Sequence, residues 1–342
     1  MRFRRAVIAG LGYELPPEVV TSAAIEVRLA PVYQRIGLVP GRLEMMSGIR
    51  ERRFWPEPVR PSEVAARAGE RAIAASKIAR DRIDLLIFAS VCRDFLEPAT
   101  ASVVHHRLSL QRSARVFDLS NACLGVVSAI EQAAALIDAG QIESALVVSG
   151  EDGRALVDGT IAQLLGDPTV DRRSIKPAFA SLTIGSGAAA VLLASDALAP
   201  EGHRVVGSVS RTASEHHALC QGGEGGVMQM ATDAEALLEA GLSVGRETWA
   251  AFLAELGWAR SSELRTVTHQ IGRAHTRSMY QALELDEATG YTTYDRLGNV
   301  GSASLPITLA LAAEAGHLRS GHRVALLGIG SGVVSTMVGV EW

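Results

Sequence analysis

The chain has 342 residues, 48% apolar and 20% charged, with a net charge of −4. This suits a globular enzyme made of two average domains or one large duplicated one, and it leaves no electrostatic footprint for nucleic acid or an anionic membrane. Three widely spaced cysteines argue against a disulfide framework and for a reducing, cytoplasmic setting.

The first residues are basic and then briefly apolar, too short a run for a signal sequence and without a small-residue cleavage site. No apolar run reaches the ~18 residues a membrane helix needs. The apolar start is instead the strand "RAVIAGLGY", followed by an amphipathic helix from Ser62 to Ile78. Ile83 to Val91 is a continuous apolar run, as expected for a strand buried on both faces. A helix from about Ala99 to Leu110, the short strand "RVFDLS" and the Ala-rich helix that starts near Cys123 come next. Glu143 to Glu151 and Ser186 to Ser195 are strands. Between them Asp152 to Gly185 is a mixed insertion, either surface helix and loop or a cover for a substrate or a neighbouring subunit.

After a polar turn the order begins again. "VVGSVSRTA" and "LRTVTHQIG" read as strands, the second ending at His269, and a helix follows. Then come the turn-rich "TGYTTYDRLGNVG", the helix "SASLPITLALAAEAGHL", and the closing strands "RVALLGIGSG" and "VVSTMVGVEW". The pair "ALVVSG"/"SGAAAVLLAS" matches "VALLGIGSG"/"GVVSTMVGV" in order. An internal duplication of a β/α unit is the reading, with halves 1–198 and 199–342. Two such halves make a layered sandwich of helices and mixed sheets, most of whose strands run parallel.

Cys123 lies on a sharp strand-to-helix junction between the small residues Ala122 and Gly125. The partial positive charge of a helix start draws a thiol pKa from ~8.5 toward neutrality, so Cys123 is a candidate nucleophile; the alternative is a buried structural cysteine, as for Cys92 and Cys220. His269, at a strand end, and Asn299, in a Gly-Asn-Val-Gly turn, are the candidate partners, both at junctions where catalytic side chains gather. Other chemistries fail. "GIGSG" has no following helix for a dinucleotide, no G-x-S-x-G elbow occurs, and the doublets His105–His106 and His216–His217 lack metal-ligand spacing.

"NACLG", "HQIGRAHT" and "GNVGSASLP", in that order and with the late "GIGSG", resemble the thiolase superfamily, and within it the ketoacyl synthase III branch. "VCRDFLEPATASVV" and "LTIGSGAAAVLL" are most similar to its OleA-type members, which join two fatty acyl-CoA molecules head to head in bacterial olefin synthesis. The resemblance implies a thiolase-like duplicated α-β-α-β-α sandwich, a Cys123–His269–Asn299 triad, and an oxyanion hole from the backbone N–H groups of Cys123 and Ser331. It also implies a homodimer in which Glu97 of "FLEPAT" is the base supplied across the interface, with enzymes of the olefin pathway as further partners. Coenzyme A thioesters are then substrates, with no separate cofactor and no metal. "HQIG" replaces the "HQAN" usual in ketoacyl synthase III, and the tryptophan–arginine coenzyme A clamp is not evident; Trp55 takes no such role. Glu97 is the feature a decarboxylating condensation has no use for, because loss of carbon dioxide supplies the carbanion. The alternatives are decarboxylative condensation with malonyl-carrier protein, acyl transfer to an alcohol or amine, and a non-catalytic partner subunit.

Overall fold

The computed structural model describes residues 1–56, 58–223 and 230–342. Its main sheet is built from β1 (Ala6–Glu14), β2 (Leu85–Phe88), β3 (Arg115–Asp118), β4 (Ser144–Glu151), β5 (Gly187–Ser195), β6 (His203–Thr212), β7 (Leu264–Thr268), β8 (Arg323–Gly330) and β9 (Val334–Glu341). Its principal helices are α1 (Pro61–Ser76), α2 (Thr100–Arg107), α3 (Gly125–Asp138), α4 (Ala234–Leu256), α5 (Arg273–Ala282) and α6 (Ser304–Glu314).

The strand order is β3-β2-β4-β5-β1-β6-β9-β8-β7. Either side of β1 and β6 the sequence of events is the same. The first strand of each half lies beside the last, then the penultimate strand, then the first crossover strand. β3 has no full counterpart. A single parallel bridge, Thr266 to Gly290, marks where it would lie. The expectation of mostly parallel strands is corrected: β2–β3, β2–β4 and β7–β8 are parallel, and the other five pairings are antiparallel. The last strand of each half turns back on the one before it, and the first then docks antiparallel on the last.

Alternation along each strand sorts the layers, since successive side chains point to opposite faces. Leu85 and Ile87 of β2, like Val324 and Leu326 of β8, join a cluster with both α3 and α6. Leu86 and Phe88 face α1 and α2, whereas Ala325 and Leu327 face α4 and α5. The order is therefore helices, half-sheet, the pair α3/α6, half-sheet, helices. The half-sheets join along a short antiparallel seam, through Val7–Arg204 and Ile8–His203 and, just before β1, the Arg2–Gly207 bridge with Phe3 N donating to Val206 O at 3.1 Å. This is the duplicated five-layer arrangement expected of a thiolase-like chain.

The insertion is not plain surface. Its helices Arg154–Gly166 and Lys176–Ser181 share an apolar cluster with the short helices Ser22–Arg28, Ala30–Ile36 and Arg42–Ser47, through Ile25, Leu29, Val32, Val157 and Ile161. The largest omission of the sequence reading is α4, 23 residues long. Its signals are ordinary ones. The Asp233 side chain caps it by accepting from Ala236 N, Gly241, Gly245, Thr248, Phe252 and Leu256 make a buried row, and Gly257 ends it in the left-handed region.

Candidate active site

Three chain junctions meet at one end of the sheet. Cys123 sits in a short 3-10 turn, Ala122–Leu124, that leads into α3. Ala122 is held at φ 44°, a left-handed conformation uncommon for a residue with a Cβ. His269 directly follows β7, and its N–H donates to Leu327 O of β8 at 3.0 Å. Three residues further along β8, a methyl placed on Gly330 would lie 3.7 Å from the Cys123 Cβ. The end of β8 is thus a common wall for the cysteine and the histidine.

Asn299 enters from the junction before α6. Its N–H donates to Thr183 O at 3.0 Å, its carbonyl accepts from Gly185 N at 2.8 Å, and its Oδ1 accepts from Gly301 N at 3.0 Å. The backbone is pinned by the insertion and the side chain by its own turn.

Two buried charged residues hold these junctions, and sequence reasoning missed both. Glu151, the last residue of β4, accepts from Val91 N (3.0 Å), Cys92 N (3.1 Å), Ser302 N (3.2 Å) and the Ser302 hydroxyl (2.7 Å). One carboxylate thereby ties the segment after β2 to the turn after Asn299. The Trp55 indole N–H donates to the Glu151 carbonyl at 3.2 Å, so Trp55 supports this strand end. Arg52 is fully buried and donates to Leu182 O at 3.1 Å and to the Ser22 hydroxyl at 3.0 Å, and its Nε has no partner among the described residues. Burial lowers its pKa to about 10, which leaves it cationic at neutral pH behind the segment that grips Asn299.

Electrostatics reverse one expectation. The thiol of Cys123 is not drawn toward neutrality; burial, then the Glu151 carboxylate and Cys220, push it up to about 12. Desolvation penalises the thiolate more than the helix start favours it. Burial, helped by His275, lowers His269 to about 4, so its imidazole is neutral at pH 7; among the described residues its buried Nδ1 has no partner. Cys92, also buried and beside Glu151, is pushed well above the usual thiol range. Cys220 lies against the glycine-rich turn, where the Ser331 hydroxyl donates to its Sγ at 3.2 Å.

Glu97 does not join this group within the chain. It lies on an exposed loop with Val91, Phe95 and Leu96, the last 93% exposed. The loop's base is fixed. Glu151 holds Val91 and Cys92, the Asp94 carboxylate accepts from Ser62, and the Asp118 carboxylate accepts from Thr100 N and Ala101 N, each at 2.8 Å. Its tip points away from the body. Nearby, β3 pairs only with β2 and exposes Phe117. Among the described residues no group of three or more His, Cys, Asp or Glu is placed to hold a metal ion, and no helix is long and apolar enough to cross a membrane.

Known proteins with this architecture narrow the chemistry. The thiolase N-terminal domain matches residues 52–153, 3-oxoacyl-[acyl-carrier-protein] synthase III matches 117–214, and its C-terminal part matches 253–342. An acyl-CoA:acyl-CoA alkyltransferase of Shewanella oneidensis is 39% identical, with all of both chains covered. The chain belongs to the acyl-CoA:acyl-CoA alkyltransferase (OleA) family. The alkyltransferase of Xanthomonas campestris is 37% identical over the whole of both chains. A crystal structure of the Xanthomonas campestris OleA superposes with a TM-score of 0.94 at 38% identity over all of both chains. Its cerulenin-bound form gives 0.95 at 37% identity, with 100% of this chain and 98% of that one covered. Crystallised variants of that OleA include replacements of one cysteine, one histidine and one glutamate. The wall at β8 is built by both halves, the Cys123 turn coming from the first and the end of β8, with His269, from the second.

Proposed function

We propose that this chain catalyses the non-decarboxylative Claisen condensation of two fatty acyl-CoA molecules, the first step of head-to-head hydrocarbon synthesis. The observation that carries this reading is the end-to-end relation to acyl-CoA:acyl-CoA alkyltransferases. The halves 1–198 and 199–342 divide the labour, the first bringing the nucleophile and the second the groups that stabilise the enolate.

In the first half-reaction the Cys123 sulfur attacks the thioester carbonyl of one acyl-CoA. The C–S bond to coenzyme A breaks, and the proton of the thiol ends on the departing coenzyme A sulfur. The N–H groups of Cys123 and Ser331 hold the oxyanion that forms between the two events. The acyl group is then stored as a thioester, which divides one hard step into two easier ones.

In the second half-reaction another acyl-CoA places its carbonyl oxygen between His269 and Asn299. The neutral imidazole offers an N–H, and the Asn299 side chain, held through its Oδ1 by Gly301 N, offers its amide N–H. Glu97 takes the proton from the carbon next to the carbonyl, because no carbon dioxide is lost to provide the carbanion. The enolate attacks the acyl-cysteine, the Cys123–acyl bond breaks, and the sulfur is reprotonated. Water then hydrolyses the 2-alkyl-3-ketoacyl thioester to the 3-keto acid.

Glu97 reaches such a site from a second copy of the chain. Support comes from its outward position, the firmly held base of its loop, and the unpaired edge of β3. An open edge that exposes Phe117, together with a loop that exposes Val91, Phe95 and Leu96, offers apolar surface for pairing with another copy.

One experiment tests the function. Incubation with a single long-chain acyl-CoA should give a keto acid whose mass equals two acyl chains joined without loss of carbon. The synthase III matches favour a second reading, decarboxylative condensation with malonyl-carrier protein. A product seen only when a malonyl donor is added would establish that reading instead. His269→Ala and Asn299→Ala should each leave Cys123 acylation measurable while lowering condensation by ~100- to 1,000-fold, the usual cost of one oxyanion donor. Near-normal product from both variants contradicts their assignment to the enolate.

A further inference from the structure

We propose that the cleft between α5 and the segment 287–294 holds the phosphate groups of coenzyme A. The inference rests on the acyl-CoA reading and adds a site to it. The cleft is a cavity of about 220 Å³, into which Arg273, Arg277, Thr292 and Tyr294 face. Arg273 and Arg277 are one helical turn apart, so both guanidinium groups project from the same face of α5. Their only acidic neighbour in the lining is Glu287, whose carboxylate is 3.9 Å from the Arg277 Nε, in an exposed pair worth little. Two cations against one anion leave the cleft with an excess of positive charge.

The floor is rigid. The Tyr280 hydroxyl is buried and lies 2.6 Å from the Thr266 hydroxyl, and a methyl on Gly290 would overlap it at 1.9 Å. Glycine at that position lets the segment lie close to the floor while the polar side chains stand around the opening. Guanidinium forks paired with hydroxyl donors suit tetrahedral phosphate oxygens.

The position fits as well as the chemistry. Gln270, next to His269, accepts through its Oε1 from Thr293 N at 2.9 Å and from Tyr294 N at 3.3 Å. Arg273 begins α5 four residues after His269 and packs against Gly48. The loop that carries the enolate-stabilising histidine therefore continues directly into the walls of the cleft. A thioester bound at His269 has its phosphates at the far end of the pantetheine arm, and a basic cleft walled by the continuation of that residue's own loop can meet them there.

The test compares acyl-CoA, acyl-dephospho-CoA and acyl-pantetheine as substrates for wild type, Arg273→Gln and Arg277→Gln. Each variant should raise the KM for acyl-CoA by about tenfold, as expected for loss of one charge-assisted contact, and the KM for acyl-pantetheine by less than about twofold. An effect that vanishes with acyl-dephospho-CoA assigns the cleft to the 3′-phosphate, and one that persists assigns it to the diphosphate. Equal losses on acyl-CoA and acyl-pantetheine, or no change on either, overturn the proposal. Calorimetry with adenosine 3′,5′-bisphosphate is independent of catalysis and decides the matter even if wild type makes no condensed product. Binding to wild type that weakens about tenfold in both variants supports the cleft, and equal binding to all three proteins refutes it.

Discussion

Replacing Cys123 by alanine should abolish both covalent labelling by acyl-CoA and condensation, a loss on the order of 10⁴- to 10⁶-fold as for other removed nucleophiles. Cys92→Ala and Cys220→Ala should retain both. Only Cys123 stands in the turn at the head of α3 and against Gly330 at the end of β8. Intact-protein mass after incubation with acyl-CoA measures the outcome, and full labelling of the Cys123 variant would end the assignment.

The same thiol should show an unusual pH profile. With its pKa pushed up to about 12, alkylation of Cys123 by iodoacetamide should keep rising about tenfold per pH unit from pH 8 to pH 10, well past the range of an ordinary cysteine. Glu151→Gln removes the neighbouring negative charge that helps hold the thiol protonated, so its profile should shift to lower pH. A plateau near pH 8 in wild type would contradict this electrostatic picture. On the proposed mechanism, a thiol held protonated in the free protein leaves its activation to the bound thioester and the proposed oxyanion donors.

The second large effect concerns Glu97. Glu97→Ala should still acylate at Cys123 but yield little condensed product. If the base reaches across a dimer, mixing this variant with Cys123→Ala gives heterodimers in which one site lacks both groups. The other site takes Cys123 from one chain and Glu97 from its partner, and is whole. Activity should return to about half that of wild type per mixed dimer, from two inactive parents. A base acting within its own chain leaves both sites broken, so heterodimers without recovered activity would exclude the exchange. Full activity in Glu97→Ala alone would remove the base altogether.

Much of this was readable in the residues. β4 is buried throughout, and the unbroken apolar run Ala145–Val148 at its centre announces a strand with helices on both faces. The chain order of Cys123, His269 and Asn299 marked the junctions that the fold brings to one end of the sheet. Glu151 and Arg52 escaped for different reasons. Glu151 is a carboxylate at a strand end, where exposure is the ordinary expectation; its four donors come from residues 59 to 151 positions away. Arg52 lies in the charged run "RERRFW", which reads as solvated. Yet the strand Glu51–Phe54 alternates, and Arg52 shares its inward face with Phe54. Period-two counting would have flagged the arginine, although its partners at Ser22 and Leu182 are contacts no local pattern encodes. The pKa of Cys123 failed for a related reason. A helix start is visible in sequence, but the surroundings that outweigh it are remote in the chain, among them Glu151, Cys220 and Gly330.

The helix pair α3/α6 has a consequence for how the molecule comes apart. Each half-sheet turns one face to that pair, which the two repeats build together, while the strands of one repeat meet those of the other only along the short seam between residues 1–8 and 203–208 among the described residues. A repeat separated from its twin would expose the apolar face of its central helix to water, a large free-energy cost for a small saving in chain order. The duplication is therefore one of pattern and not of autonomy. Heating should melt both repeats in a single cooperative transition, and neither repeat expressed alone should hold a native tertiary structure.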